Sequence, residues 1–296
     1  MPTGMKDTER AQLQALMESI YQRYSYDFRD YSPASQLRRL HHALERLHCA
    51  DLAALQQRVL DEPACFGELL QILTVPVTQM FRDPAFFLAL REHVVPVLKT
   101  YPSPTIWVAG CCTGEEALSL AILLHEEGLL ERSRIYATDI NPQALATAAR
   151  GAYPLHRMQE YADNYVAAGG LGQLSEYYTL EHATARFDAR LLEKINFADH
   201  SLATDSVFVE TQLVLCRNVL IYFNKTLQER SLALFHESLC HRGFLGLGSK
   251  ESVQFTRFAT DFEPVAGQEK LYRKRAPSPA ASHYAGRQVP GMKHEH

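Results

Sequence analysis

Three short segments hold the residue types that could do chemistry together. The first starts at a hydrophobic run, Ile106 to Ala109, and passes through the turn Gly110-Cys111-Cys112-Thr113-Gly114-Glu115-Glu116. It continues through a leucine-rich stretch to a second apolar run ending in Asp139. Glycine lets a backbone approach a ligand without a Cβ in the way, and the helix such a turn opens points bare N–H groups at the same place. An acid at the tip of the following strand can accept both hydroxyls of a ribose. The turn reads G-x-x-x-G-E-E rather than G-x-G-x-x-G, and two carboxylates where a pyrophosphate would sit repel a dinucleotide. They suit a ligand with a positive end, and S-adenosylmethionine, with its ammonium and sulfonium, is one. Glu115 and Glu116 serve equally as first-turn acids that complement a helix dipole, and Asp139 equally as a cap for the helix entered through Pro142.

The second segment, Leu215 to Asn224, is a buried strand running into Arg217-Asn218 and then an aliphatic stretch with Tyr222 and Phe223. It places polar groups at the carboxyl edge of a sheet, the edge where open α/β sheets bind ligands. Phe223 reads as a core aromatic and Asn224 as a helix N-cap. The third segment, Thr78-Gln79-Met80-Phe81-Arg82-Asp83-Pro84, falls at a domain junction, a common place for ligand sites. Arg82 there could meet a carboxylate or form an interdomain ion pair.

The elements that must position these residues are legible as hydrophobic periods. Residues 1–75 read as a small helical bundle: Leu13, Leu16, Met17 and Ile20 keep helical spacing, as do Leu37, Leu40, Leu44 and Leu47 after Ser32-Pro33. Further helices are expected over Leu52 to Leu60 and Cys65 to Leu73. Residues 76–90 form a linker in which Pro76 and Pro84 bar a continuous helix, and a helix over Phe86 to Leu98 leads into the sheet. The α/β unit occupies 91–273. It is interrupted at 155–200, where the stretches Tyr177 to Leu180, Ala185 to Ala189 and Lys194 to Phe197 predict an inserted antiparallel sheet after a turn at Gly151 to Pro154. Beyond 273 the rise in Pro, Ser, Ala and Gly predicts a disordered tail over 274–296.

The 296 residues carry a net charge of −4, which argues against a general nucleic-acid binder. No apolar run approaches the roughly 20 residues that cross a bilayer, and the N-terminus has no signal-peptide core, so a cytoplasmic, non-membrane protein is expected. The six cysteines form no C-x-x-C pair and the histidines no ligand spacing, so no metal is expected.

Taken together, Thr78 with Phe81-Arg82-Asp83-Pro84, Ala109 to Glu116, Ala137-Thr138-Asp139-Ile140-Asn141 and Cys216 to Phe223 resemble the signature blocks of CheR-type chemoreceptor methyltransferases, in order and spacing. The segment Tyr24 to Ser35 also resembles that family, and the similarity spans about residues 10–273. The resemblance implies a Rossmann-like class I methyltransferase domain with a small antiparallel β-subdomain, preceded by an all-α domain. It implies a protein-glutamate O-methyltransferase that moves a methyl group from S-adenosylmethionine to glutamates on the cytoplasmic helices of chemoreceptors, working as a monomer. Carried over by residue, Thr78 and Arg82 line the methionine end and reacting centre, and Glu115 or Glu116 meets the amino group. Asp139 holds the ribose, and Asn196 and Phe197 flank the adenine. Gly110 shapes the turn, Arg217 and Asn218 close the site, and Tyr222 stands beside the methyl group. Arg38, Arg39 and Arg46 would cradle an acidic receptor helix. Pro76 stands where many relatives have an asparagine, and Cys112 where serine is usual. Two other readings fit the α/β unit: a methyltransferase of the same fold acting on another protein or a small molecule, and a non-catalytic module that senses S-adenosylmethionine.

Overall fold

The computed structural model describes residues 7–276. Residues 277–296 of the expected disordered tail lie outside them. Four helices, α1 (Asp7–Tyr24), α2 (Pro33–Arg46), α3 (Leu52–Asp61) and α4 (Pro63–Thr74), form the N-terminal bundle. Its core is the one the spacing predicts: Leu13, Leu16, Met17 and Ile20 of α1 pack with Leu37, Leu40 and Leu47 and with Leu55, Leu69 and Leu73. Local chemistry sets the helix ends. Asp51 Oδ1 accepts from Ala54 N at 2.8 Å to cap α3, and prolines occupy the first turn of α2 and α4, where a missing N–H goes unnoticed.

The junction is shorter than the expected 76–90. Helix α5 (Pro84–Ala89) begins at the second proline and runs through a π-helical turn (Leu90–Val94) into α6 (Val95–Leu98). The sheet then follows as β1 (Thr105–Ala109), α7 (Glu115–Glu126), β2 (Arg134–Asp139) and α8 (Pro142–Arg150). Next come β3 (Ala152–Pro154), α9 (Met158–Ala167), β4 (Tyr178–Glu181), β5 (Thr184–Phe187), α10 (Ala189–Leu192) and β6 (Ile195–Asp199). The chain continues with β7 (Thr211–Cys216), α11 (Lys225–Ser238), β8 (Leu239–Leu247), β9 (Phe262–Pro264) and β10 (Leu271–Lys274). The main sheet has the order β6-β2-β1-β7-β8-β10-β9, parallel from β6 to β8 and antiparallel at β10 and β9.

The inserted sheet exists, in the order β3-β5-β4, but its bounds differ from 155–200. The stretch near Lys194 to Phe197 is β6, which pairs in parallel with β2 (Tyr136 opposite Asn196) and so belongs to the main sheet. The turn expected at Gly151 to Pro154 is a left-handed helix cap at Gly151 followed at once by strand β3. An unforeseen helix, α9, buries Met158, Tyr161 and Tyr165. At the other end β10 reaches Lys274, the first residue of the expected tail. No helix among the described residues is long and apolar enough to cross a membrane.

The bundle is fastened to the sheet at two places. Asp30 to Ser32 lies alongside Tyr222 to Asn224: Ser32 N donates to Tyr222 O (2.8 Å) and Asn224 N to Asp30 O (2.9 Å), with Tyr31 and Phe223 bridged as in a two-residue antiparallel ladder. Fully buried Asn141 makes the second fastening. Its Oδ1 accepts from Gln71 Nε2 (2.7 Å) and from Gln143 N and Ala144 N at the start of α8, while its Nδ2 donates to Thr74 Oγ1 (2.8 Å). One side chain thus caps a helix and joins α4 to the end of β2. Asn141→Ala removes the cap and strands Gln71 at once, and should lower unfolding stability by about 2–4 kcal/mol in urea titration. A loss under about 1 kcal/mol would show that the fastening is dispensable.

Candidate active site

The cleft lies where the order of the sheet reverses. Strand β1 has β2 on one side and β7 on the other, so the turns leaving β1 and β7 diverge at their carboxyl ends and open a crevice. The empty space of the crevice is about 880 Å³, the open solvent at its mouth included. Gly110, at φ +72°, begins the turn after β1. A Cβ there would stand 2.5 Å from Val219 Cγ2, so glycine is what lets the two turns close on each other.

Of the residues singled out from the sequence, Thr78, Arg82, Gly110, Glu116, Asp139, Arg217, Asn218 and Tyr222 all line this cleft. Thr78 and Arg82 lie in the connection between α4 and α5, and the others stand at or just beyond the ends of elements. Asp139 ends β2, and its two oxygens accept from Cys112 N and Asn141 N, both at 2.9 Å. Burial raises its carboxyl above the ordinary range against the pull of those N–H groups. The Cys112 thiol is pushed up to about 12 by burial and by Asp139, so it stays protonated. Its backbone N–H holds Asp139, a bond that serine in its place would make equally.

The two glutamates separate. Glu116 faces the cleft and accepts from Arg217 Nη1 at 2.9 Å, and burial raises its carboxyl while Arg217 opposes the rise. Glu115 turns away and is 1 % exposed, accepting from Thr113 Oγ1 (2.6 Å), Tyr161 OH (3.1 Å) and Arg157 Nη1 (3.2 Å). Arg157 also donates to the carbonyl of Thr78, so Glu115 acts from beneath, through Arg157, on the position of the junction. Arg217 is buried with Phe86 4.2 Å from its guanidinium carbon, and its Nη2 donates to Asp83 Oδ2 (2.7 Å) and Arg82 O (2.9 Å). Glu116 and Asp83 are both taken by Arg217, which leaves Arg82 as a cation with no acid bound to it among the described residues.

Two expectations are corrected. Asn196 and Phe197 do not reach the cleft: they sit mid-strand in β6, paired with Tyr136 and Ala137, and the residues that arrive there are His200 and Leu202 past the strand end. Arg39 does not share an outer face with Arg38 and Arg46. Those two are exposed, whereas Arg39 is buried, donates to Leu73 O and stacks 4.1 Å over the Tyr222 ring inside the cleft. Pro76 is not among the lining residues, although Val75 and Val77 on either side of it are.

Several contributors were not read from the sequence. Tyr31 reaches the cleft from the bundle, and Ile140 with Leu202 forms an apolar surface beside Asp139. Glu251, buried in the loop after β8, accepts from Gly248 N (2.6 Å), Asn218 N (3.0 Å) and Ile221 N (3.3 Å), and so holds the turn that presents Asn218 and Tyr222. A Cβ on Gly248 would lie 2.8 Å from both Asn218 N and Glu251 Oε2, so this glycine is also required by close approach. The backbone is under tension here: Val75, Phe81, Asp83, Cys112 and Asn218, all at or beside the cleft, have φ between 47° and 63°. Such residues cost about 1–3 kcal/mol each and persist where the surroundings over-determine them.

The cleft also concentrates unmet polar groups. Six buried side-chain polar atoms among the described residues have no partner within the protein, and five belong to cleft residues: Arg39 Nε and Nη2, His200 Nδ1, Arg217 Nε and Asn218 Oδ1. Native proteins leave very few such atoms, so their clustering fits a cavity completed by a polar ligand. Asp139 could accept from ribose hydroxyls and Glu116 from an ammonium, so the residues facing the cleft fit S-adenosylmethionine.

A mainly parallel sheet with this switch-point crevice, an acid ending β2 and an acid opening α7 defines a Rossmann-like methyltransferase. Residues 76–271 match the family model described as CheR methyltransferase, SAM binding domain, and residues 11–74 the one described as CheR methyltransferase, all-alpha domain. The chain belongs to the CheR methyltransferase family. It is 59 % identical over 272 residues to a Pseudomonas putida protein named as a candidate methyltransferase, Cher3, covering 92 % of this chain and 99 % of that one. It is 30 % identical over 193 residues to the chemotaxis protein methyltransferase of Listeria monocytogenes (63 % of this chain, 69 % of that one). With that of Salmonella typhimurium the identity is 28 % over 264 residues, covering 85 % and 86 %.

The separation of the glutamates gives a direct contrast. Glu116→Gln should weaken binding of S-adenosylhomocysteine about 10- to 100-fold in calorimetry, whereas Glu115→Gln should lower stability and leave affinity within about threefold. The reverse pattern would reassign the two. Because burial raises both Glu116 and Asp139, each takes up its proton at a higher pH than an exposed carboxylate, and the ionised forms are the ones that fit the ligand. Affinity should therefore fall on acidification starting above the ordinary carboxylate value of about 4.5, rather than holding until pH 4.

Proposed function

We propose that this protein is a protein-glutamate O-methyltransferase that esterifies glutamate side chains on the cytoplasmic helices of chemoreceptors, with S-adenosylmethionine as donor. The observation that supports it most is the presence in one cleft of two acids, Glu116 and Asp139, with Tyr222 and with Arg82, a cation that no acid among the described residues binds. Thr78 and Arg82 line the methionine end, Glu116 receives the ammonium, Asp139 the ribose, and Arg217 and Asn218 close the wall. Bound there, S-adenosylmethionine supplies an electrophilic methyl group on a sulfonium.

The protein's part is orientation and exclusion of water. A glutamate with pKa about 4.3 is already ionised at neutral pH, so no general base is needed. Opposite charges disappear as the ester forms, and water stabilises the separated charges more than the transition state. Leu73, Val75, Leu202, Val219 and Phe223 give the cleft apolar walls that keep such water out. A cation that gripped the incoming carboxylate tightly would stabilise the ground state most. Arg82 therefore positions reactants, and Tyr222, its ring held under the Arg39 guanidinium, orients the carboxylate through one hydrogen bond. Exposed Arg38 and Arg46 on α2 offer a basic face to a receptor helix. The division into a helical unit through residue 75 and a catalytic unit beyond it fits this arrangement.

Incubation with labelled S-adenosylmethionine and receptor-rich membranes should yield alkali-labile methyl groups that map to glutamates of receptor peptides. Label confined to other proteins or to small molecules would redirect the assignment, and cofactor binding with no turnover on any of them would make the chain a sensor. Tyr222→Phe should lower kcat roughly 10- to 100-fold at saturating substrates with little change in S-adenosylhomocysteine affinity, and an unchanged kcat would remove the tyrosine from the mechanism.

A further inference from the structure

His200 follows directly on strand β6 and enters the cleft on the Asp139 side, with Ile140 and Leu202 as its lining neighbours. The residue is 8 % exposed, and its backbone N–H donates to the carbonyl of Asp139 at 3.4 Å. Trp107 meets the imidazole edge to face with centroids 5.2 Å apart, and Phe208 packs tilted against it at 5.1 Å, so the ring has little freedom to turn. Its Nε2 lies 3.1 Å from the carbonyl oxygen of Ser206. A carbonyl can only accept, so Nε2 carries the proton and the lone pair of the neutral ring is on Nδ1. That Nδ1 is buried and has no partner within the protein.

The position of this acceptor relative to Asp139 gives it a meaning. This inference rests on the reading of the cleft as the S-adenosylmethionine site. With Asp139 on the ribose and Glu116 on the ammonium, the base must lie on the far side of Asp139 from Glu116, among Ile140, His200 and Leu202. Adenine is a flat apolar face whose ring nitrogens N1, N3 and N7 only accept; its exocyclic 6-amino group is the donor on its edge. A lone acceptor in an apolar slot matches that group alone. We infer that His200 is a specificity-determining residue for the adenine base, its Nδ1 accepting from the 6-amino group. A 6-oxo base would set one lone pair against another and leave both buried groups unpaired, a mismatch of roughly 10- to 100-fold in affinity.

The test is calorimetric binding of S-adenosylhomocysteine and of its 6-oxo counterpart, S-inosylhomocysteine, to the full chain and to His200→Leu. The native protein should favour the adenine compound at least about tenfold. His200→Leu should bind it about tenfold more weakly and bring the ratio of the two ligands close to one. Nitrogen NMR of histidine-labelled native protein supplies a readout that needs no variant: the Nδ1 resonance should move with the adenine compound and not with the inosine one. Equal affinity of the native protein for both ligands, discrimination retained in His200→Leu, or an unmoved Nδ1 resonance would overturn the role of His200 while leaving the cleft assigned. Binding of neither ligand by the native protein would overturn the cofactor reading and this inference with it.

Discussion

The buried guanidinium of Arg217 is the interaction on which the cleft depends. It comes off the end of β7, reaches Glu116 at the start of α7 and Asp83 at the start of α5, and lies on Phe86. Three segments far apart in sequence are thereby set against one cation. A buried ion pair returns little net stability, because both charges lose water, but the loss of one partner leaves an uncompensated charge worth about 3–5 kcal/mol. The arrangement is better understood as fixing geometry. Arg217 occupies one oxygen of Glu116 and leaves the carboxylate turned to the cleft, and it holds the Arg82 carbonyl so that the Arg82 side chain is presented free. The ion pair expected for Arg82 as a structural alternative is made instead by its neighbour Asp83.

What the sequence could reveal follows from where information is local. Hydrophobic periods gave the helices of the bundle, the β1-α7-β2 unit and the strand before Arg217, because each is decided within about a dozen residues. Strand ends are less legible, and the resemblance, which implies Asn196 and Phe197 beside the adenine, does not locate the tip of β6. A strand delivers to the cleft only what stands at its carboxyl tip, and β6 runs on to Asp199 before His200 turns in. The burial of Arg39 is legible in the phase of α2: it lies three residues after Gln36 and four before Ala43, both on the buried stripe. Glu251 had no such signal. In Ser249-Lys250-Glu251-Ser252 it looks like a solvent loop, and only the pairing of β7 with β8 carries it beneath the Asn218 turn.

The distribution of strain follows the same division of labour. Half of the ten non-glycine residues with left-handed backbone among the described residues are gathered at the cleft or beside it, while regular elements supply the rest of the core with ordinary packing. Asn141 and Glu251 are the kind of polar side chain that can hold such backbone, since each spends its oxygens on several main-chain N–H groups. Hydrogen bonds to main-chain groups thus hold the turns of the cleft, which suits a surface that must contact a polar ligand along its length.

The ladder between Asp30 to Ser32 and Tyr222 to Asn224 gives the helical bundle a part in the chemistry. Tyr31 and Arg39 are walls of the ligand cavity and belong to the same unit whose outer face carries Arg38 and Arg46. Occupancy of the cavity and grip on the outer face therefore share one body. If filling the cleft changes how tightly that face holds a partner, the partner must change the affinity of the cleft by the same factor. Methyl-donor level and partner engagement would then be two readings of a single equilibrium.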